Sequence, residues 1–187
     1  FTAYSTSPLH VPAGPEIYTV DADAAVFVLA RNAGEGADRR AEKGDYFLSD
    51  EEYTLLSDVC DRYEKVILLL NSGGVVDLSF LEKLPQIQAV LAVSQPGQEG
   101  GTAVADVISG IISPSGKLTD TWAFSYDDYP NAATFSHNNG NVEKEKYEEG
   151  IYVGYRYFDT FEIPVRYGFG YGMSYASFTM NTARIKT

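Results

Sequence analysis

Three continuous apolar runs, each followed by a segment with helical character, dominate the first two thirds of the chain. The runs cover residues 24–30, 65–71 and 87–93. Apolar runs of roughly 4–8 residues are typical of strands buried on both faces of a parallel sheet. Strands that alternate with helices favour right-handed parallel crossovers. We therefore predict an α/β fold in which a mostly parallel sheet is sandwiched between helices.

The segments between these runs carry signals for helix starts and ends. Ser49 followed by Glu52 forms a capping-box pattern, so a helix should begin after Ser49. A short helix is expected over residues 77–84, before Pro85. A longer one is expected over residues 99–112. Each of the two longer helices has one apolar side: Tyr53, Leu56, Val59, Cys60 and Tyr63 on the first, and Ala103, Val104, Val107, Ile108, Ile111 and Ile112 on the second.

The last third of the chain changes character. A further strand is expected over residues 117–122, and residues 149–160 and 167–175 mix glycine with aromatic residues. We predict irregular, tightly packed backbone there, with glycine where a neighbouring segment approaches closely. Residues 178–186 alternate between apolar and polar positions, as in the first strand of a following β domain.

These patterns divide the chain into three parts. Residues 1–23 carry no helical or strand periodicity and read as a connecting segment, residues 24–177 form the α/β domain, and residues 178–187 read as a linker or first strand. The first residues show none of the features of a signal peptide, so the localisation is not indicated by the sequence. Both a cytoplasmic and a secreted protein fit this chain.

Charge and composition exclude several classes of partner and cofactor. The 187 residues include 14 Lys+Arg against 26 Asp+Glu, which gives a net charge of −12. This balance argues against a nucleic-acid partner and against an anionic membrane surface. No apolar run approaches the roughly 20 residues that a membrane-spanning helix needs. One cysteine and two histidines are too few for most metal centres, so no metal is expected. Composition does not exclude a nicotinamide or nucleotide enzyme, and the motifs of the chain lead us to expect no cofactor.

The loop that follows the first apolar run is the most informative segment for chemistry. It spans residues 31–47, about 17 residues, whereas loops in compact α/β units run to roughly 2–6. Glu35 stands in it between Gly34 and Gly36. One interpretation is a general acid/base carboxylate presented at the sheet edge, and the other is a surface turn in which Glu35 pairs with Arg39 or Arg31. The third glycine of a dinucleotide fingerprint is missing.

Two further loops should lie at the same edge, because the carboxyl ends of parallel strands meet there and ligands bind beyond them. Residues 71–75 include Asn71-Ser72-Gly73-Gly74, which fits a phosphate or a sugar hydroxyl, or simply a turn. The Gly-Lys-Ser/Thr of a phosphate loop is absent from this segment. Residues 94–98 precede the longer predicted helix, and their amides fit either an anion or a helix cap. A nucleotide-binding domain therefore stays a third, less favoured class.

Several short motifs, taken in order, resemble the C-terminal α/β sandwich domain of glycoside hydrolase family 3, the β-glucosidase family. Each motif is weak alone, and their shared order carries the resemblance. The motifs are GEGADR at 34–39, KGDYFLS at 43–49, LNSG at 70–73, PGQEGG at 96–101, ADV at 105–107, PSGKL at 114–118, YEEGIYVGYRYFD at 147–159 and YGFGYGMSY at 167–175.

This resemblance implies a retaining β-glucosidase that removes terminal β-linked glucose from oligosaccharides or β-glucosides. The implied acid/base is Glu35, and the implied nucleophile is an Asp on a (β/α)8 barrel that this chain lacks. Ser72, Asp38 and Arg39 are candidates for substrate binding in the same loops. A retaining site holds its two carboxyl groups about 5–5.5 Å apart, so a long loop must carry Glu35 towards the barrel.

The resemblance also implies that the chain is partial. An earlier strand–helix portion of the sandwich domain should precede it, and a fibronectin-like domain should follow residue 178. The isolated chain should be inactive, because one carboxylate cannot perform a double displacement. The alternatives are a β-xylosidase of the same family and a non-catalytic domain with a structural or interaction role.

Overall fold

A computed structural model describes residues 22–32, 38–137, 140–141 and 143–182. Three parallel strands form its main sheet in the order β1 (Ala25–Ala30), β2 (Val66–Asn71) and β3 (Ile87–Ala92). Each coincides with one of the apolar runs, to within one residue at either end. The α/β class and the parallel sheet are therefore confirmed.

One face of this sheet packs against helix α1 (Asp50–Arg62). Ser49 caps this helix as predicted, because its side chain accepts from the Glu52 amide while the Glu52 carboxylate accepts from the Ser49 amide. The shared core contains Leu29, Leu56, Val59, Cys60, Val66, Leu68, Leu70, Phe80 and Trp122. This packing joins β1 and β2 to α1. The loop between β1 and α1 therefore begins and ends on elements that pack in the same core.

The other face of β1 differs from the expectation that this strand is buried on both sides. Val26 and Val28 are 37% and 55% exposed. Both project opposite to Leu29 and Phe27, because successive side chains along a strand alternate in direction. Continuous apolar sequence identified the strand correctly but overestimated its burial, since an apolar run does not show whether another element covers it.

The shorter elements differ in extent from the predictions. The segment expected as a short helix is a 3-10 helix, Ser79–Glu82, whose Phe80 enters the core. Helix α2 (Gly100–Ile108) ends four residues before the predicted boundary. Ile111 and Ile112 consequently lie beyond the helix and are exposed. In the described part of the chain, no helix is long and apolar enough to cross a membrane.

The last third forms a small second sheet and an irregular aromatic region. The predicted strand over 117–122 shortens to β4 (Trp122–Ala123), which pairs antiparallel with β5 (Val165–Tyr167). Helix α3 (Tyr155–Thr160) precedes β5, so the prediction of irregular backbone over residues 149–160 is wrong for this part. Residues 178–182, the described part of the last predicted strand, are not in a strand.

Close backbone approach at a glycine, as predicted for this region, occurs at Gly172. A Cβ added there would lie 2.7 Å from the carbonyl oxygen of Gly116, closer than real Cβ contacts. Main-chain hydrogen bonds between Leu118 and Tyr171 and between Gly170 and Leu118 hold the two segments together. The glycine-rich tail therefore packs on the segment that leads into β4.

Candidate functional site

The loop between β1 and α1 starts at Arg31, which is 6% exposed. Its main-chain amide continues the sheet ladder by donating to the Asn71 carbonyl at 2.9 Å. Its guanidinium has all five N–H groups engaged: with the carbonyls of Ala30, Asp45 and Phe47, and with both carboxylate oxygens of Glu52. Arg31 thus ties the end of β1 to the start of α1 and to the middle of the loop.

Glu52 joins this arginine to the helix cap. Its two oxygens lie 2.6 and 2.8 Å from the Arg31 guanidinium nitrogens, a bidentate pair. One of those oxygens also accepts from the Ser49 amide at 2.8 Å. The carboxylate therefore serves the helix cap and the buried arginine together, and its charge compensates the guanidinium that the fold has removed from water.

Arg39 contacts both Asp45 and the segment that follows β2. Its Nε donates to Asp45 Oδ1 at 2.6 Å, and its Nη2 donates to the Asp45 carbonyl at 2.8 Å. Its Nη1 donates to the Val75 carbonyl at 2.7 Å and to Ser72 Oγ at 3.3 Å. Arg39 therefore connects the first edge loop to the second, which follows β2.

Asp45 stands at the centre of these contacts. Its carboxylate accepts from the Arg39 guanidinium through one oxygen and from the Arg40 amide, at 2.6 Å, through the other. Its main-chain carbonyl accepts from Arg31 at 2.6 Å and from Arg39 at 2.8 Å. One residue thus contacts the chain on both sides of the segment 33–37. We call Arg31, Arg39 and Asp45 the loop clamp.

The structure places the four predicted site residues differently. Glu35 lies outside the described residues. Asp38 is exposed at the edge of the described loop. Arg39 and Ser72 lie together, and Ser72 is buried with its hydroxyl donating to the Gly74 carbonyl at 2.9 Å. Their role in substrate binding stays a prediction, and the contacts described here give both residues a part in joining the two loops.

Sequence reasoning did not single out Asp45, Glu52 or Arg31 as members of this site. Glu52 was identified only as a capping residue. Arg31 was considered only as a partner of Glu35. The available signal was the spacing of charged residues in the loop 31–47. Arg31 and Arg39 flank the segment 33–37, and Asp45 follows six positions after Arg39. That spacing alone does not show which charges meet.

An aromatic cluster lies next to Asp45 and joins the loop to the last third of the chain. The Tyr46 ring packs edge-on against Tyr126 at 5.2 Å, and Tyr129 packs against Phe158 at 5.7 Å. Burial raises the pKa of Tyr46 far above its ordinary value, and the nearby Tyr129 and Asp77 add to this effect. Burial also raises the pKa of Tyr129, whose hydroxyl donates to the Thr121 carbonyl. Both phenols therefore stay neutral near pH 7.

The third edge loop, residues 94–98, is exposed. Ser94 adopts a positive φ of 54°, which non-glycine residues rarely do. In the described residues, no hydrogen bond or ion pair joins this loop to the loop clamp.

Across the same described ranges, no group of three or more His, Cys, Asp or Glu side chains is placed to hold a metal ion.

Comparison with known proteins shows the family. A model of the glycosyl hydrolase family 3 C-terminal domain matches residues 15–155. A β-glucosidase of Ruminococcus albus is 41% identical over 166 residues, which cover 88% of this chain and 17% of that protein. An exo-α-(1→6)-L-arabinopyranosidase of Bifidobacterium breve is 38% identical over 128 residues, 68% of this chain and 16% of that protein.

A solved structure agrees with these relatives. The β-glucosidase 3B of Thermotoga neapolitana, in complex with glucose, is 45% identical with a TM-score of 0.77, over 83% of this chain and 22% of that chain. The present chain therefore spans roughly a fifth of the length of these proteins. With a family model that covers most of its residues and a parallel sheet shared with a solved β-glucosidase, the chain belongs to glycosyl hydrolase family 3, in the C-terminal domain of that family.

Proposed function

We propose that this chain is the sandwich-domain part of a retaining β-glucosidase and that Glu35 is the general acid/base of that enzyme. The observation that supports this most is the state of the two nearby arginines. Arg31 is saturated by Glu52 and main-chain carbonyls, and Arg39 is paired with Asp45. The surface-turn interpretation takes Arg31 or Arg39 as the partner of Glu35, and in the described structure both of these arginines already hold another carboxylate.

The proposed reaction divides the chemistry between two domains. In the first step, the Glu35 carboxyl donates its proton to the glycosidic oxygen while an Asp on the barrel attacks the anomeric carbon, and the aglycone leaves as an alcohol. In the second step, the Glu35 carboxylate takes a proton from water, whose oxygen displaces the Asp. Glucose leaves with its original β configuration, and both carboxyl groups return to their starting states.

The isolated chain is inactive under this proposal. Double displacement needs a nucleophile about 5–5.5 Å from the acid/base, and that nucleophile belongs to the barrel. Adding the barrel, either as part of the same polypeptide or as a second chain, should restore hydrolysis. A fibronectin-like domain after residue 178 remains part of this proposal for the full-length protein.

A second candidate is a different sugar with the same mechanism. The relative from Bifidobacterium breve is named for an arabinopyranoside, although it is 38% identical to this chain. Sequences similar to this chain thus occur in proteins named for different sugars, which supports the proposal that sugar choice is set mainly outside this domain. A β-xyloside tested beside a β-glucoside in the full-length enzyme distinguishes the two candidates by their kcat/KM values.

The leaving-group dependence of the full-length enzyme tests the role of Glu35. We would compare the wild type with Glu35→Ala on a phenyl β-glucoside and on a dinitrophenyl β-glucoside, using kcat/KM because it reports the first chemical step. Removing a general acid lowers the rate of a step that needs protonation by about 10²- to 10⁴-fold. We expect that loss for the phenyl glucoside and little loss for the dinitrophenyl glucoside, whose leaving group needs no proton.

Glu42→Ala is the matched control, because Glu42 lies in the same loop and is exposed. Its only described ion pair is a long 3.9 Å contact with Arg40. This variant should leave both kcat/KM values unchanged. An equal and small loss on both glucosides in Glu35→Ala would instead make Glu35 a structural loop residue, and the non-catalytic alternative would then be favoured.

A further inference from the structure

We infer that Asp45 is a positioning residue for the acid/base, because it fixes the chain on both sides of the segment that carries Glu35. This inference rests on the proposed function. It concerns a residue that does not touch substrate in our account and that acts through Glu35. The described contacts of the loop clamp, rather than any feature of the segment 33–37 itself, carry the argument.

The main-chain carbonyl of Asp45 brings the two sides together. The guanidiniums of Arg31 and Arg39 both donate to this one oxygen, at 2.6 and 2.8 Å. Arg31 precedes the segment by two positions, and Arg39 follows it by two. A shared acceptor therefore sets the separation of the two guanidinium groups and restrains Arg31 and Arg39, the described residues on either side of the segment.

The carboxylate of Asp45 fixes the downstream side a second time. One oxygen holds the Arg39 guanidinium, and the other accepts from the Arg40 amide, each at 2.6 Å. A carboxylate offers two charged acceptors, whereas an amide side chain offers one neutral acceptor. Asp45→Asn therefore loses one of the two bonds and weakens the other, with almost no change in side-chain volume.

Further hydrogen bonds anchor the loop clamp to the rest of the fold. Arg31 is anchored by Glu52 at the start of α1, and Arg39 reaches the Val75 carbonyl beyond β2. The Tyr46 carbonyl, next to Asp45, accepts from the Asp77 amide at 2.8 Å. A site needs its reacting groups held to a fraction of an ångström, and a displacement of about 1 Å can cost about 10²-fold in rate.

The experiment measures the ratio of kcat/KM for phenyl β-glucoside to that for dinitrophenyl β-glucoside in the full-length enzyme. A misplaced acid should lower this ratio, since only the phenyl leaving group needs the proton. We expect Asp45→Asn to lower the ratio about 10-fold, with KM for the dinitrophenyl substrate nearly unchanged. A role limited to stability would lower both values together and would leave the ratio as in the wild type.

Asp50→Asn is the matched control for the chemical change. Asp50 pairs with Lys43 at 2.6 Å, but both side chains are exposed, and neither contacts the loop clamp in the described structure. This variant should keep the wild-type ratio. If it lowers the ratio as much as Asp45→Asn does, the effect is a general one of charge, and the inference is overturned.

Arg39→Lys keeps the test decisive if Asp45→Asn does not fold. A lysine retains the positive charge but lacks the planar fork of five donors through which Arg39 contacts Asp45, Ser72 and Val75. We expect it to lower the ratio as well. If it raises KM for both glucosides equally and keeps the ratio, Arg39 binds substrate directly and the positioning role is overturned.

Glu35→Ala, measured in parallel, separates failure of this inference from failure of the proposed function. If Glu35→Ala lowers the ratio while Asp45→Asn and Arg39→Lys leave it unchanged, the acid/base assignment stands and the positioning inference is overturned. If Glu35→Ala leaves the ratio unchanged, the proposed function fails, and the positioning inference fails with it.

Discussion

Removing the charge of Glu52 should destabilise the fold through the buried guanidinium of Arg31. Glu52→Gln preserves the size of the side chain but replaces one of the two acceptor oxygens with an amide donor. Arg31 is 6% exposed and its other described acceptors are neutral carbonyls, so Glu52 is the one charged partner among these described contacts. The variant therefore leaves a charge uncompensated in the interior.

The expected loss is smaller than for a fully buried ion pair. Removing one partner of such a pair costs roughly 3–5 kcal/mol. The Glu52 side chain is 21% exposed, so water already screens part of the interaction, and glutamine keeps one acceptor. We therefore expect the free energy of unfolding to fall by about 2–3 kcal/mol.

Urea unfolding of the chain, followed by tryptophan fluorescence, measures this loss. Trp122 is the only tryptophan and lies in the core, so its emission reports loss of packing directly. Glu51→Gln is the control, because Glu51 is the neighbouring residue, is exposed, and accepts from the Ser49 hydroxyl rather than from a buried arginine. It should move the unfolding midpoint far less. A change in Glu52→Gln below about 0.5 kcal/mol, the range of surface pairs, would refute the reasoning.

Two further predictions concern the tail and the aromatic cluster. Gly172→Ala should lower the midpoint of urea unfolding, because the new Cβ would lie 2.7 Å from the Gly116 carbonyl oxygen, and an unchanged midpoint would show that the two segments do not pack as described. The free energy of unfolding should also fall as the pH rises above about 10, since burial raises the pKa of Tyr46 above its ordinary value of 10.0 and the unfolded state loses that proton first. Tyr46→Phe should flatten this alkaline loss. The same alkaline slope in both proteins would contradict the burial of this phenol.

The sheet and helix α1 could be predicted because their signals are local. Apolar runs located each strand, and the pair Ser49 and Glu52 located the start of α1. The length of helix α2 was overestimated, since apolar residues at Ile111 and Ile112 continue the helical spacing beyond the last helical turn. Burial of Val26 and Val28 was also overestimated, because burial depends on which other elements cover a strand.

The loop clamp could not be predicted because its contacts join residues far apart in sequence. Arg31 meets Glu52 across 21 positions, and Arg39 meets Val75 across 36. Nothing in the local spacing distinguishes Asp45 from other acidic residues of the loop, such as Glu42. Its role becomes visible only when the fold brings both arginines to one carbonyl oxygen.

The most direct test of the central claim is the product that Glu35→Ala forms with azide in the full-length enzyme. Azide needs no general base, so it can attack the glycosyl–enzyme intermediate that the variant accumulates from dinitrophenyl β-glucoside. Our account predicts that azide restores turnover and that NMR identifies the product as β-glucosyl azide, formed by two inversions. No rescue, or a product of α configuration, would contradict the assignment of Glu35 as the acid/base of a retaining enzyme.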